Sequence, residues 1–133
     1  MAFTVKFSTN SSNNGIAISN QSVLRFDEVA SNSGNGYDIN SGKFTAPVAG
    51  DYAFFLTTAA GSSHGPAELA IVKGSLVLGE VYASEPQPTR HQGSTLVTTH
   101  LAGGEQVWVR QQSGDSVGGG FWTVFTGFLL HAD

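Results

Sequence analysis

The chain contains no cysteine, which removes disulfides, thiolate metal sites and thiol nucleophiles together. The absence does not fix a compartment, because a core of this size needs no covalent staples. Charged residues make up only 12% of the sequence, about half the share of an average globular domain. The six lysines and arginines are scattered and the net charge is −4, so no basic patch exists for nucleic acid or an anionic membrane surface. No apolar run reaches the roughly 18 residues of a membrane-spanning helix. The opening residues 1–10 lack the charged and apolar segments of a secretory signal peptide. That leaves a cytosolic chain or a mature region restarted with methionine. Two N-x-S/T sequons, at Asn10 and Asn20, lean toward the second.

Helical periodicity is also missing: no window sustains it for more than a turn or two. What the chain has instead is 17 glycines among 133 residues, many Ser, Thr and Asn, and 40% apolar residues. The length suits one domain, residues 1–133, which buries roughly two-thirds of its extended-chain surface. The clearest strand signal is Gly50-Asp51-Tyr52-Ala53-Phe54. Tyr52 and Phe54 fall on one sheet face, Ala53 and Phe55 on the other, and both faces are apolar, which predicts an interior strand.

Around it the alternation places strands at Phe3, Val5 and Phe7, a short ribbon at residues 16–18, and a looser run at residues 23–30 with Leu24 and Phe26 on one face. Residues 31–36 read as loop. Residues 37–44 read as a hairpin with a left-handed glycine at its turn. A second hairpin turns at Lys73-Gly74-Ser75. Two prolines in residues 84–93 forbid regular pairing there. Strands at residues 94–101 and 106–112, and the apolar run 121–130, complete about ten. The fold class is all-β, a sandwich or jelly roll.

Phe26, Asn32, Tyr37, Phe44, Gly50, Tyr52 and Phe54 also fall at the signature spacing of the complement C1q globular-head family, with Leu56 in place of its last aromatic. Gly42-Lys43-Phe44-Thr45-Ala46-Pro47, Ile71-Val72-Lys73-Gly74, Gly104-Glu105-Gln106-Val107-Trp108 and Phe125-Thr126-Gly127-Phe128-Leu129-Leu130 agree with further family segments. The chain therefore resembles that family over nearly its whole length. The resemblance implies a ten-stranded, tumour necrosis factor-like jelly roll of two antiparallel sheets. It further implies a homotrimer and an extracellular protein that recognises other molecules. No collagen repeat is present in the sequence. Phe26, Tyr37, Phe44, Tyr52, Phe54, Trp108, Trp122, Phe125 and Phe128 are expected to be core or trimer scaffold.

Function is then expected in the loops. The reading is a secreted, trimeric, lectin-like recognition module for glycans or microbial surface molecules. The alternative is a hormone- or cytokine-like ligand, or a complement-type adaptor, acting through a protein receptor. Tyr82, Glu85, Arg90, His91 and Gln92 combine an aromatic platform, a fixed cation and hydrogen-bonding groups on an irregular segment, which suits a polar or anionic glycan. Asp115 and Ser116 are expected at the same end. A solvated loop has the same composition and is the competing reading. Relatives hold calcium near the trimer apex with Asp in loops of this kind; here Glu85 is the only carboxylate and His91 stands where some have Asp. Hard oxygen ligands are scarce, so calcium is disfavoured and no metal or cofactor is expected.

No enzyme is expected. Gly61-Ser62-Ser63-His64-Gly65 matches the nucleophile elbow G-x-S-x-G, but a proline and a strand follow where that motif needs a helix. Gly36 to Lys43 fails as a phosphate loop because Tyr37 and Phe44 occupy positions that need Gly and Ser or Thr. His64, His91, His100 and His131 are too widely spread for a local ligand set.

Overall fold

The computed structural model describes residues 1–8, 16–59, 67–83, 92–113, 116–117 and 123–133. Its strands are β1 (Ala2–Lys6), β2 (Ile16–Ala17), β3 (Glu28–Ser33), β4 (Tyr37–Asp38), β5 (Lys43–Thr45) and β6 (Gly50–Ala59), then β7 (Ala67–Lys73), β8 (Leu76–Ala83), β9 (Gln92–Leu101), β10 (Gln106–Ser113), β11 (Ser116–Val117) and β12 (Val124–Ala132). Ten of them form two five-stranded sheets, ordered β3-β1-β12-β6-β9 and β4-β5-β10-β7-β8, and β11-β2 is a separate ribbon. All pairings are antiparallel. The molecule is the all-β jelly roll of two antiparallel sheets that the sequence predicts.

The two sheets face each other across an aromatic core. Period-2 alternation sends Phe3 and Val5 inward from β1 while Ala2, Thr4 and Lys6 stay half-buried. Phe3 stacks on Phe44 at 4.9 Å and meets Phe125 edge-on at 5.1 Å. Phe54 stacks with Phe125 and with Tyr52, and packs edge-on against Phe44. Gly127 makes this approach possible. A side chain there would meet Phe54 Cδ1 at 2.7 Å and Phe3 Cζ at 2.8 Å, so the rings lie directly over the β12 backbone.

β6 is an interior strand, as expected, between β12 and β9. Tyr52, Phe54 and Leu56 are fully buried on its core face, and Ala53 on the outer face is only 3% exposed. Two of the signature polar groups have a visible task. Asn32 Nδ2–H donates to the Tyr37 carbonyl at 2.9 Å while its Oδ1 accepts the Tyr37 N–H at 3.1 Å, which closes the turn between β3 and β4. The buried Tyr37 hydroxyl donates to the Phe26 carbonyl at 2.8 Å. Burial pushes the Tyr37 pKa up, so the hydroxyl remains a donor.

Three expectations need correction. Gln92 and Gly93, placed by sequence in a segment that prolines keep from pairing, open β9 opposite Ala59 and Thr58. Residues 31–33 are strand rather than loop: they pair with Ala2 to Thr4 at the sheet edge, where a polar sequence is tolerated because one side faces water. Residues 23–27 are not regular strand; a single bridge, Val23 to Arg110, ties them to β10. Leu24 and Phe26 do share the buried side. Trp108, grouped by sequence with the scaffold aromatics, lies outside the core cluster. Val107 and Val109 point inward, so period 2 puts Trp108 on the outer face, half-buried, with Lys43 Nζ 4.2 Å from the ring centroid. Trp122 lies outside the described residues.

Candidate functional site

Of the loop residues singled out by sequence, Glu85, Arg90, His91 and Asp115 lie outside the described residues, as does the Gly61 to Gly65 motif. Tyr82, the last residue but one of β8, has 60% of its surface exposed. Gln92 begins β9, and Ser116 pairs with Ala17 in the small ribbon. The structure brings Tyr82 and Gln92 to one end of the sandwich: a Cβ on the next residue, Gly93, would meet the Tyr82 carbonyl oxygen at 2.5 Å.

At that end sequence reasoning missed a carboxylate. Glu68 is the cross-strand partner of both Tyr82 and Ser113, and the Ser113 hydroxyl donates to Glu68 Oε2 at 3.3 Å. Its position on β7, opposite two loop-flanking residues, follows from strand register, which the linear sequence does not display. Among the described residues no three His, Asp or Glu side chains gather into a metal-binding group. Nor, among them, is any helix long and apolar enough to cross a membrane.

The other distinctive surface is the outer face of the β3-β1-β12-β6-β9 sheet. Register aligns Leu96, Phe55, Thr126 and Thr4 in one row and Thr98, Ala53, Phe128 and Ala2 in the next. Leu96 is 66% exposed and Phe128 38%. No charge interrupts either row. The Thr4 and Thr126 hydroxyls satisfy each other at 3.1 Å, which leaves little polarity to solvate. Charges lie at the two ends: the Lys6–Glu28 ion pair at one, and His100 with Asp133 at the other. An apolar centre with a polar rim is the anatomy of a protein interface.

His100 Nε2 lies 2.9 and 3.1 Å from the two Asp133 carboxylate oxygens. That bond raises the His100 pKa above its ordinary 6.5, with smaller contributions from the Asp51 and Glu105 charges. Because the folded-state value is the higher one, the pair stabilises the fold fully below the unfolded value of about 6.5 and loses that effect as pH rises through the folded value. An NMR titration of His100 is expected to give a midpoint above 6.5, moving down in Asp133→Asn. An identical midpoint in the two proteins would show that the contact does not form in solution.

Three comparisons bear on this arrangement. A family model described as the C1q domain matches residues 2–130. Caprin-2 of Danio rerio is 30% identical over 111 residues, which cover 83% of this chain and 12% of that protein; the chain thus spans about an eighth of that relative's length. Among solved structures, the globular domain of zebrafish complement 1qA superposes with a TM-score of 0.80 at 20% identity, covering 99% of this chain and 98% of that one. The Eiger tumour necrosis factor of S. frugiperda superposes with a TM-score of 0.74 at 11% identity, covering 100% and 94%. Identities this low establish a common fold.

Proposed function

We propose, on the premise that this chain belongs to the C1q domain family, that it is an extracellular recognition module which assembles as a homotrimer and binds glycans or microbial surface molecules. Domains of the C1q and tumour necrosis factor type are non-enzymatic recognition modules, and the sequence supplies no catalytic constellation against that. The observation that carries the assembly reading is the uncharged row of Leu96, Phe55, Thr126 and Thr4 beside Ala53 and Phe128. A monomer gains nothing by exposing it.

A second apolar patch supports a ring rather than a two-fold dimer. Leu76 and Val77 on the edge strand β8 are 55% and 37% exposed. A contact between one protomer's face and the next one's edge joins two different surfaces, and such contacts form a ring when the rotation between protomers closes and an open filament when it does not. The closing number of three is what the family resemblance implies. Trimerisation would present three copies of each loop cluster in parallel, so that weak individual sites gain by multivalency. Ligand contacts are assigned to the Tyr82 end, and Glu85, Arg90, His91, Gln92, Asp115 and Ser116 remain the candidates that the sequence supplies for it. The reading includes no metal or cofactor.

The test joins mass and ligand. Light scattering after size exclusion is expected to give three chains per particle, and a glycan array is expected to give signal above background for the assembled protein. A monomer without any glycan or microbial ligand would sink the reading. A trimer that is silent on the array but captures one receptor, without competition from sugars, would transfer it to the cytokine-like alternative.

A further inference from the structure

Between the irregular segment 18–27 and the hairpin turn at residues 38–42 lies a groove of about 970 Å³, a volume within the range of small-ligand sites. Its lining includes the apolar side chains of Phe7, Ile18, Val23 and Ile39. Gln21, Asn40 and Ser41 supply neutral hydrogen-bonding groups around it.

The walls are built rather than draped. On one side the Gln21 N–H donates to the Gln111 carbonyl at 2.7 Å, the Gln111 N–H to the Ser22 carbonyl at 2.9 Å, and the Leu24 N–H to the Val109 carbonyl at 2.9 Å. Gln21 is held in the left-handed region at φ 68°, unusual for a residue other than glycine and typical of sites where the surroundings over-determine the backbone. Its Nε2–H donates to the Gln112 carbonyl at 2.9 Å. On the other side Gly42, at φ 75°, seats the turn against the first wall: a Cβ there would meet the Leu24 carbonyl oxygen at 2.8 Å and Arg25 Cα at 2.9 Å. The Asn40 N–H donates to Asp38 Oδ1 at 2.9 Å and shapes the turn tip.

Arg25 lines this groove, is exposed, and has no hydrogen-bond or ion-pair partner among the described residues. Asp27, on the same wall, does not neutralise it by contact. Its two oxygens accept the Ser8 N–H at 2.8 Å and the Ser8 hydroxyl at 2.7 Å, and those bonds keep the carboxylate ionised. The groove thus carries one guanidinium with no partner among the described residues, together with apolar, amide and hydroxyl side chains.

We propose that this groove binds an acidic sugar, with the sugar carboxylate on the Arg25 fork, ring hydroxyls on Asn40 and Ser41, and the sugar's C–H face on Val23 and Ile39. The guanidinium fork matches a carboxylate two bonds at a time. A single cation suits a ligand with one charge; a polyanion would meet Asp27 and the protein's net charge of −4. A peptide strand fits less well, because the backbone groups of Gln21, Ser22 and Leu24 are already paired with β10 and leave no continuous edge. The proposal rests on the recognition reading given above but not on its trimer, and it moves the contact away from the Tyr82 end.

The test titrates the full chain with N-acetylneuraminic acid, glucuronic acid and, as the neutral counterpart, galactose, followed by NMR. Arg25→Gln is expected to weaken acidic-sugar binding by about tenfold or more, with Arg25→Lys intermediate because it keeps the charge and loses the fork. Lys73→Gln, which removes a cation outside the groove, is expected to bind as wild type. Unchanged binding in Arg25→Gln would overturn the proposal. Loss in Tyr82→Ala instead would also overturn it while leaving the recognition reading intact, and failure of the wild type to bind either acidic sugar would overturn this proposal alone, the recognition reading being decided by the glycan array. Equal thermal midpoints for wild type and Arg25→Gln would confirm that folding is not the cause.

Discussion

Phe54→Ala is expected to cost about 3–5 kcal/mol, the range for removing a large aromatic from a core. The side chain is fully buried on an interior strand and touches the rings of Phe3, Phe44, Tyr52 and Phe125. No neighbour can collapse into the space without leaving its own partners, so a cavity cost adds to the lost burial. Against a typical domain stability of about 5–15 kcal/mol, the loss should appear as a large fall in the urea midpoint with little change in slope. Gly127→Val approaches the same contact from the opposite side: its added carbons would meet Phe3 and Phe54, and overpacking of this kind costs about 1–3 kcal/mol or more. A Phe54→Ala midpoint within error of wild type would show that the aromatic core is not packed as described.

Leu96→Glu is expected to leave single chains in place of the proposed trimer without unfolding the protein. Leu96 is 66% exposed in the single chain, so the substitution should leave monomer stability nearly unchanged. In the assembly it would place a carboxylate among Phe55, Thr126 and their neighbours, with no cation on that row to receive it. Burying an unpaired charge costs several kcal/mol and is generally avoided by dissociation or protonation. Sedimentation at micromolar concentration reads the change directly. Retention of the trimer by Leu96→Glu would mean that the sheet face is not the interface.

These two variants probe the two faces of the aromatic strand at Gly50 to Phe55, Leu96 through its pairing with Phe55. Alternation made β6 legible as a doubly buried strand, and the aromatic spacing identified the family. What alternation alone leaves undecided is which of the two apolar faces meets the molecule's own core; register with β12 and β9 decides that Phe54 does and Phe55 does not. Trp108 was readable in principle, since it stands between two inward valines, which puts it on the outer face of β10. Lys43 supplies the cover there, and only the pairing of β5 with β10 reveals it.

Other features left no sequence trace. The strand at residues 31–33 is a polar edge whose partner, β1, lies near the start of the chain. Gln111 sits fully buried on the core side of β10, where alternation predicts an apolar residue; its Nε2–H donates to the Ser113 carbonyl at 2.8 Å. The groove beside Arg25 is assembled from segments that are separate in sequence and irregular in backbone, so neither periodicity nor a motif marks it. Of the predicted loop site, only Tyr82 and Gln92 have described side-chain surroundings.

The strand order carries a consequence for how such a chain is made. β12, the last strand in sequence, occupies the middle of its sheet, with β1 on one side and β6 on the other. A ribosome emitting this chain therefore releases β1 long before the strand it pairs with exists, and Phe3 waits through most of synthesis for Phe125. The sheet cannot close from its N-terminal half. Pairings so distant along the chain make folding slow relative to local helix formation. Until β12 arrives, β1 has only β3 and β6 only β9 beside it, and the unfinished domain depends on dilution or on chaperones to keep the two open edges apart.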